Sequence, residues 1–303
     1  MKPMNLPRYH HFVHDSYLRG WERNGMLRVY DLRRRLVWSS KARNTGGENH
    51  FNTFLPDPVV IDALAYALSS KRGQPEDAAH ARFMSALTAA VSNQAGQRDQ
   101  TFIESRFNIW ESEIGPVLAR LANGERECLD EGTRASLIKL FCMQIMRTPA
   151  MRGAVLGKFR GLTFAGQLLD ARQTEDFFKL LLVAHAEAMA SALMVGGSYI
   201  KLHSSTGLDL LSSDRPAALV NWPLSRIEDL VGFMPLSPGL AMTIAGSDKN
   251  GRSFPSFTVS QARVEQWNHL MIDSADTLVF FTDDCQVEKY RTHLQKRAAL
   301  RIS

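Results

Sequence analysis

Two carboxylates and one guanidinium lie on stretches otherwise built of apolar residues. Glu104 and Glu111 are seven positions apart, two helical turns, so both belong to one face of a helix. They lie beside an apolar stripe of Ile103, Phe107, Trp110, Ile114, Val117 and Leu121. Arg147 ends a run that is apolar almost all round, from Leu137 through Ile138, Leu140, Phe141, Met143 and Ile145 to Met146, and Gln144 precedes it by one turn on the same face. A guanidinium cannot shed its proton, so beside a core it must meet carboxylates or phosphate oxygens. His11, within Arg8–Trp21, is the natural titratable member near neutral pH if that segment folds back over these helices.

Two chemistries fit this set. In one, His11 is a general acid or base, a glutamate orients it or holds a divalent metal, and Arg147 stabilises a developing phosphorane. In the other, Arg147 and the acids form a buried ion-pair network that fixes helix register, and His11 is a core histidine. Asp214, in Ser213-Asp214-Arg215-Pro216, is a further catalytic candidate, or a local cap before a turn proline. His10, His11 and His14 invite a metal, but only Asp15 follows them as a nearby carboxylate.

The elements that must position these groups follow from periodicity. Met26–Asp31 and Arg35–Ser39 predict a β-hairpin, with Arg33, Arg34 and Arg35 at its tip. Residues 41–57, with Gly46-Gly47, predict a loop, and residues 69–100 a mobile insertion. Helices are expected over Val59–Ser70, Thr101–Leu121 (with a kink at Gly115-Pro116), Leu129–Arg147, Glu175–Val195, Val259–Ser274 and Cys285–Arg301. Short strands are expected at Tyr199–His203, Leu208–Ser212, Ala218–Trp222 and Leu240–Ala245. The sum is a single helix-dominated α+β domain with an N-terminal β-hairpin and a small antiparallel sheet.

Charge is concentrated at one end. Residues 1–43 carry ten Lys or Arg against three Asp or Glu, a net of +7 in a chain whose total is +5. That block favours a phosphate-bearing partner, with Arg33, Arg34, Arg35, Lys41 and Arg43 contacting a polynucleotide backbone. The C-terminal helix carries a further basic face of Lys289, Arg291, Lys296, Arg297 and Arg301, the sort of face that is usually solvated. Cys128, Cys142 and Cys285 are widely spaced and odd in number, so they read as reduced thiols of a cytoplasmic protein. The most apolar stretch, Phe177–Gly197, is interrupted by Lys179, His185 and Glu187, which favours a core helix over a membrane span. No G-x-S-x-G, H-E-x-x-H, Walker A or G-x-G-x-x-G motif is present, and Gly246–Ser253 resembles a phosphate cradle only loosely.

His11, His14, Tyr17, Leu18 and Trp21 are similar to the H-x-x-P-x-x-Y-L-x-x-F hallmark of a bacterial domain-of-unknown-function family, with His14 in place of proline and Trp21 in place of phenylalanine. The resemblance continues through Asn44, Glu48 and Phe51, Glu104 and Glu111, Gln144–Pro149, Ser213–Pro216, Phe233–Pro238 and Trp267-Asn268. It implies that Glu104, Glu111 and Asp214 are the acids that accompany Arg147, with Tyr17, Asn44, Glu48, Gln144 and Asn268 in support. Some members of that family lie in phage-defence loci. The expectation is therefore a phage-defence effector that hydrolyses phosphodiesters of nucleic acid. The alternatives are a non-catalytic sensor or adaptor for nucleic acid or a phage component, and a hydrolase of a small phosphorylated nucleotide.

Overall fold

A computed structural model describes residues 9–69, 76–92, 99, 101–125, 130–158, 161, 163–220, 230–246 and 256–300. Its helices are α1 Asp15–Leu18, α2 Pro58–Ser69, α3 Asp77–Val91, α4 Phe102–Ala122, α5 Glu131–Met146, α6 Pro149–Lys158, α7 Ala171–Val195, α8 Gln261–Ser274 and α9 Asp284–Ala299. Side-chain caps start several of them. Asp130 accepts from the Thr133 N–H, Asp170 forms a capping box with Gln173, and Asp283 accepts from the Gln286 N–H.

α7 is the central post, packed against α2, α3, α5 and α6, while α4 lies on α5. By length and composition α7 could cross a membrane, yet here its apolar face belongs to the core. Within the stretch read as an insertion, α3 packs on α7 and buries Phe83 and Leu87 completely. Residues 70–75, 93–98 and 100 of that stretch lie outside the described residues. α4 runs through Gly115 and Pro116 as one helix.

The strands are β1 Tyr9–His11, β2 Leu27–Asp31, β3 Leu36–Ser40, β4 Gly47–Asn49, β5 Thr163–Phe164, β6 Gln167–Leu168, β7 Tyr199–Ser205, β8 Ser212–Ser213, β9 Ala218–Leu219, β10 Val231–Ser237, β11 Leu240–Ala245, β12 Ser256–Val259 and β13 Leu278–Phe281. The α+β class holds, but the sheet content is larger than one small sheet. A five-stranded sheet runs β12-β7-β11-β10-β9, antiparallel except where β12 joins β7. A four-stranded sheet runs β3-β2-β13-β8, so the expected N-terminal hairpin is completed by a strand from near the C-terminus. Residues 221–222 of the expected strand Ala218–Trp222, the loop residues 247–253 and Arg301 lie outside the described residues.

The N-terminal segment ties these parts together. Val13, Tyr17, Leu18 and Trp21 are buried in the main core, and α1 lies against α4. The Tyr17 hydroxyl donates to the Pro235 carbonyl at 2.9 Å and shares a 2.7 Å hydrogen bond with Ser212 Oγ, and Trp21 Nε1 donates to the Leu210 carbonyl at 2.9 Å. The expected loop at 41–57 contributes β4, which pairs with β1. Gly46, at φ +69°, turns its carbonyl to accept from both Phe12 and Val13 N–H. A Cβ on Gly47 would come within 2.5 Å of the Tyr9 ring, so that pairing requires a glycine.

Candidate functional site

Arg147, expected as the last residue of a helix over Leu129–Arg147, is the C-cap one residue beyond α5, and its N–H donates to the Met143 carbonyl. Its side chain is 2% exposed. Nη1 donates to Glu111 and Nη2 to Glu104 Oε1 at 3.2 Å, and the guanidinium carbon lies 4.4 Å from the centre of the Phe107 ring. Glu104, Phe107 and Glu111 follow one another on a single face of α4, so the helical repeat supplies two acids with a ring between them. The expected union of Glu104, Glu111 and Arg147 is present.

The histidines that reach these acids are His10 and His14, not His11. His14 Nε2 lies 3.2 Å from Glu111 Oε2. His10 Nδ1 accepts the Asn52 backbone N–H at 2.9 Å, which fixes the ring proton on Nε2. Its 3.7 Å approach to Glu104 is therefore proximity and not a hydrogen bond. The Asn52 side chain closes the gap by donating to Glu104 Oε1. A continuous chain results: His10, Asn52, Glu104, Arg147, Glu111, His14.

Strand geometry explains the exchange. Successive residues of β1 alternate in direction, so His10 points inward, while Tyr9 and His11 lie toward the surface. His11 Nε2 lies 3.2 Å from the Arg43 carbonyl. Burial pulls its pKa below the ordinary histidine value; Asp15 opposes this, the Arg147 charge adds to it, and the Arg43 carbonyl and Glu111 oppose it.

Burial alone would raise the Glu111 carboxyl, but hydrogen bonds and charge from His14 and Arg147 outweigh it and bring it to about 2. Glu111 is thus a fixed anion at neutral pH. Satisfaction is incomplete around it. Among the described residues, Arg147 Nε, His14 Nδ1 and both amide atoms of the fully buried Gln144 have no hydrogen-bond partner.

Asp214 is committed elsewhere. Its carboxylate accepts the backbone N–H groups of Asp276, Thr277 and Leu278 at 2.6 to 3.0 Å, anchoring the start of β13. Burial pushes that carboxyl up to about 6 against the pull of those three donors. Asn268 likewise spans Leu211 N–H, the Asp209 carbonyl and the Tyr290 hydroxyl. Both residues act as local braces, as Tyr17 does between the two sheets. Glu48 on β4 is exposed and lies 3.6 Å from Arg152, and Asn44 is exposed on a 3-10 turn, Ala42–Asn44.

Arg33, Arg34 and Arg35 are exposed at the β2–β3 tip as expected, and Lys41 and Arg43 are exposed just after β3. Arg33 and Arg34 have acids at 3.4 Å (Asp276) and 3.8 Å (Asp31). The sequence reading missed Asn52, His10 and His14 as network members, along with Arg152 and Lys179. The last two join Asn52, Arg147 and Thr148 around a narrow cleft floored by Phe51 and Phe107. The cleft has a volume of only about 20 Å³, room for one water and too little for a substrate. Among the described residues, no three His, Cys, Asp or Glu side chains converge as a metal-binding set.

A sequence model described as "Protein of unknown function (DUF4238)" matches residues 9–196. The match spans β1 to the end of α7, the segment that builds the whole His–Asn–Glu–Arg chain, and ends before Asp214 and Asn268. No curated protein and no solved structure matches the sequence. With more than half its length covered, the chain belongs to the DUF4238 family of proteins of unknown function.

Proposed function

We propose that the protein binds nucleic acid through its N-terminal basic hairpin, and that the acid–Arg–His network is the frame that holds the segment bearing the hairpin against the helices. The observation that carries the second half is the state of Arg147. Both terminal nitrogens of its guanidinium are engaged by carboxylates and one face lies against a ring, and with 2% of the side chain exposed the unpartnered Nε is buried out of reach of a polynucleotide phosphate. By contrast, Arg33, Arg34, Arg35, Lys41 and Arg43 stand in solvent, accessible to a phosphate backbone. The setting would be the phage-defence context that the family resemblance implies, in the sensing or adaptor role given above as an alternative.

A phosphodiester hydrolase is the second reading, favoured by the proximity of His14 to Glu111 and by the depressed pKa of the half-buried His11. The two are separated by incubating the purified protein with labelled RNA and DNA, with and without Mg²⁺ and Mn²⁺, alongside His11→Ala and His14→Ala. The binding reading expects retention of intact nucleic acid by all three proteins. Cleavage by the wild type that either substitution abolishes would replace it with the hydrolase.

A further inference from the structure

Among the described residues β3 is the outer strand of its sheet, paired with β2 alone and with no strand on its other edge. Its side chains are poorly covered: Leu36 is 58% and Trp38 37% exposed, and Ser39 is exposed too. An edge strand that presents a partly exposed indole is an association site unless something blunts or uses it. Here cations bracket it. Arg33, Arg34 and Arg35 stand at one end, held by a turn in which Asp31 Oδ1 accepts the N–H groups of Arg33 and Arg34 at 2.7 and 2.9 Å. At the other end, Lys41 and Arg43 line an open cleft of about 360 Å³ with Arg19, Asp15 and Glu22.

The acids near this strip are few and mostly engaged. Asp15 is bound to Arg19, Glu22 accepts the Ala42 N–H, and Asp276 and Asp31 lie beside Arg33 and Arg34. Among the described residues, Arg35, Lys41 and Arg43 have no carboxylate within ion-pair distance. From Arg35 to Lys41 the extended chain covers about 20 Å, with Trp38 midway.

We propose that β3 is a binding strip for single-stranded nucleic acid, with phosphates on the cations at its two ends and one base stacked on the Trp38 indole. This rests on the reading that the hairpin binds a polynucleotide, and it names the form of the strand and the residue that selects it. An unstacked base offers its face to an exposed aromatic ring, whereas a duplex keeps its bases inside and can meet the strip only through phosphates. A protein strand adding to the same edge would satisfy the backbone but leaves the bracketing cations unexplained unless that strand is acidic.

The test is fluorescence anisotropy of the full chain with a labelled single-stranded oligo-U or oligo-dT, and with a hairpin duplex of similar charge. It compares wild type, Trp38→Ala, Trp38→Phe and the triple variant Arg33→Ser, Arg34→Ser, Arg35→Ser, with unlabelled poly-glutamate as competitor. Thermal melting confirms that each variant folds. The strip predicts tighter binding of the single strand than of the duplex. Trp38→Ala loses about tenfold or more on the single strand alone with an unchanged salt slope, and Trp38→Phe retains most of the affinity. Wild-type affinity in Trp38→Ala, or equal binding of both forms with only the arginine variant weakened, overturns the stacking strip and leaves the hairpin as a phosphate binder. Equal competition by poly-glutamate overturns it in favour of an acidic partner. Binding of neither form overturns both this inference and the wider reading.

Discussion

His14 Nε2 lies 3.2 Å from Oε2 of Glu111, and the Arg147 guanidinium reaches the other oxygen of the same carboxylate. One acid from α4 is therefore held between the N-terminal segment and the end of α5. His11, three residues earlier, meets a backbone carbonyl and lies toward the surface. The two histidines should respond differently to removal. His14→Ala is expected to lower stability by about 1–3 kcal/mol, the cost of a lost charge-assisted hydrogen bond in a buried site. His11→Ala should change it by less than about 1 kcal/mol. Urea denaturation at neutral pH reads both.

Arg147→Ala leaves the largely covered Glu104 and Glu111, 13% and 14% exposed, without the guanidinium between them, and about 3–5 kcal/mol of stability should be lost. Replacing both acids by glutamine in that background should recover part of the loss, because the unpaired charges go with them. The sum of single-variant effects will exceed the effect of the triple replacement, since the three groups share one network. Chemical unfolding of the full set measures this; strict additivity would contradict a coupled network.

The depressed Glu111 carboxyl fixes the sign of an acid dependence. Its folded pKa of about 2 lies below the ordinary 4.5, so the unfolded chain takes up the proton first as pH falls. The stabilisation is complete above pH 4.5 and is lost progressively down to about pH 2. Asp214, raised to about 6 from 3.8, runs the other way: its relative contribution is present below pH 3.8 and fades as pH rises through 6. Glu111→Gln should flatten the acid limb of the stability–pH curve between pH 4.5 and 2, measured by thermal melting across buffers. An unchanged limb would remove Glu111 as its source.

Asp214→Ala tests whether that residue is a brace. It removes the acceptor of three half-buried N–H groups at the start of β13, at about 1–3 kcal/mol for each that water does not satisfy. A large fall in melting temperature is expected. A stable variant deficient only in an activity would return Asp214 to a catalytic role.

Long apolar runs made α4, α5 and α7 legible, at helical spacing in α4 and almost all round in α5, and the seven-residue interval of Glu104 and Glu111 put both on one face of α4, while their pairing with Arg147 was what the family resemblance implied. The helices α3 and α6 were not read from the sequence, and the rest of what stayed hidden depends on strands. β1 has three residues and no alternating apolar signal, so nothing in the sequence said that His10 faces inward and His11 does not. β10 contains Pro235, which argues against a central strand, yet the register shifts between Pro235 and Ser237 and the strand lies inside the sheet. β13 is a four-residue apolar run whose partner, β2, is nearly the whole chain away, and Asp214 serves that long-range join. Asn52 reads as a loop residue and becomes a link only because Gly46 and Gly47 bring β4 and the following chain against β1.

The most direct test is the salt dependence of single-strand binding. Each phosphate neutralised on a single strand contributes about 0.7 to the slope of log affinity against log salt. Replacing Arg33, Arg34 and Arg35 by serine should lower that slope by about 2 while leaving the melting temperature unchanged. An identical slope in the variant, or binding abolished by Arg147→Lys with the hairpin intact and the protein folded, would move the nucleic-acid contact from the hairpin to the network and contradict the account.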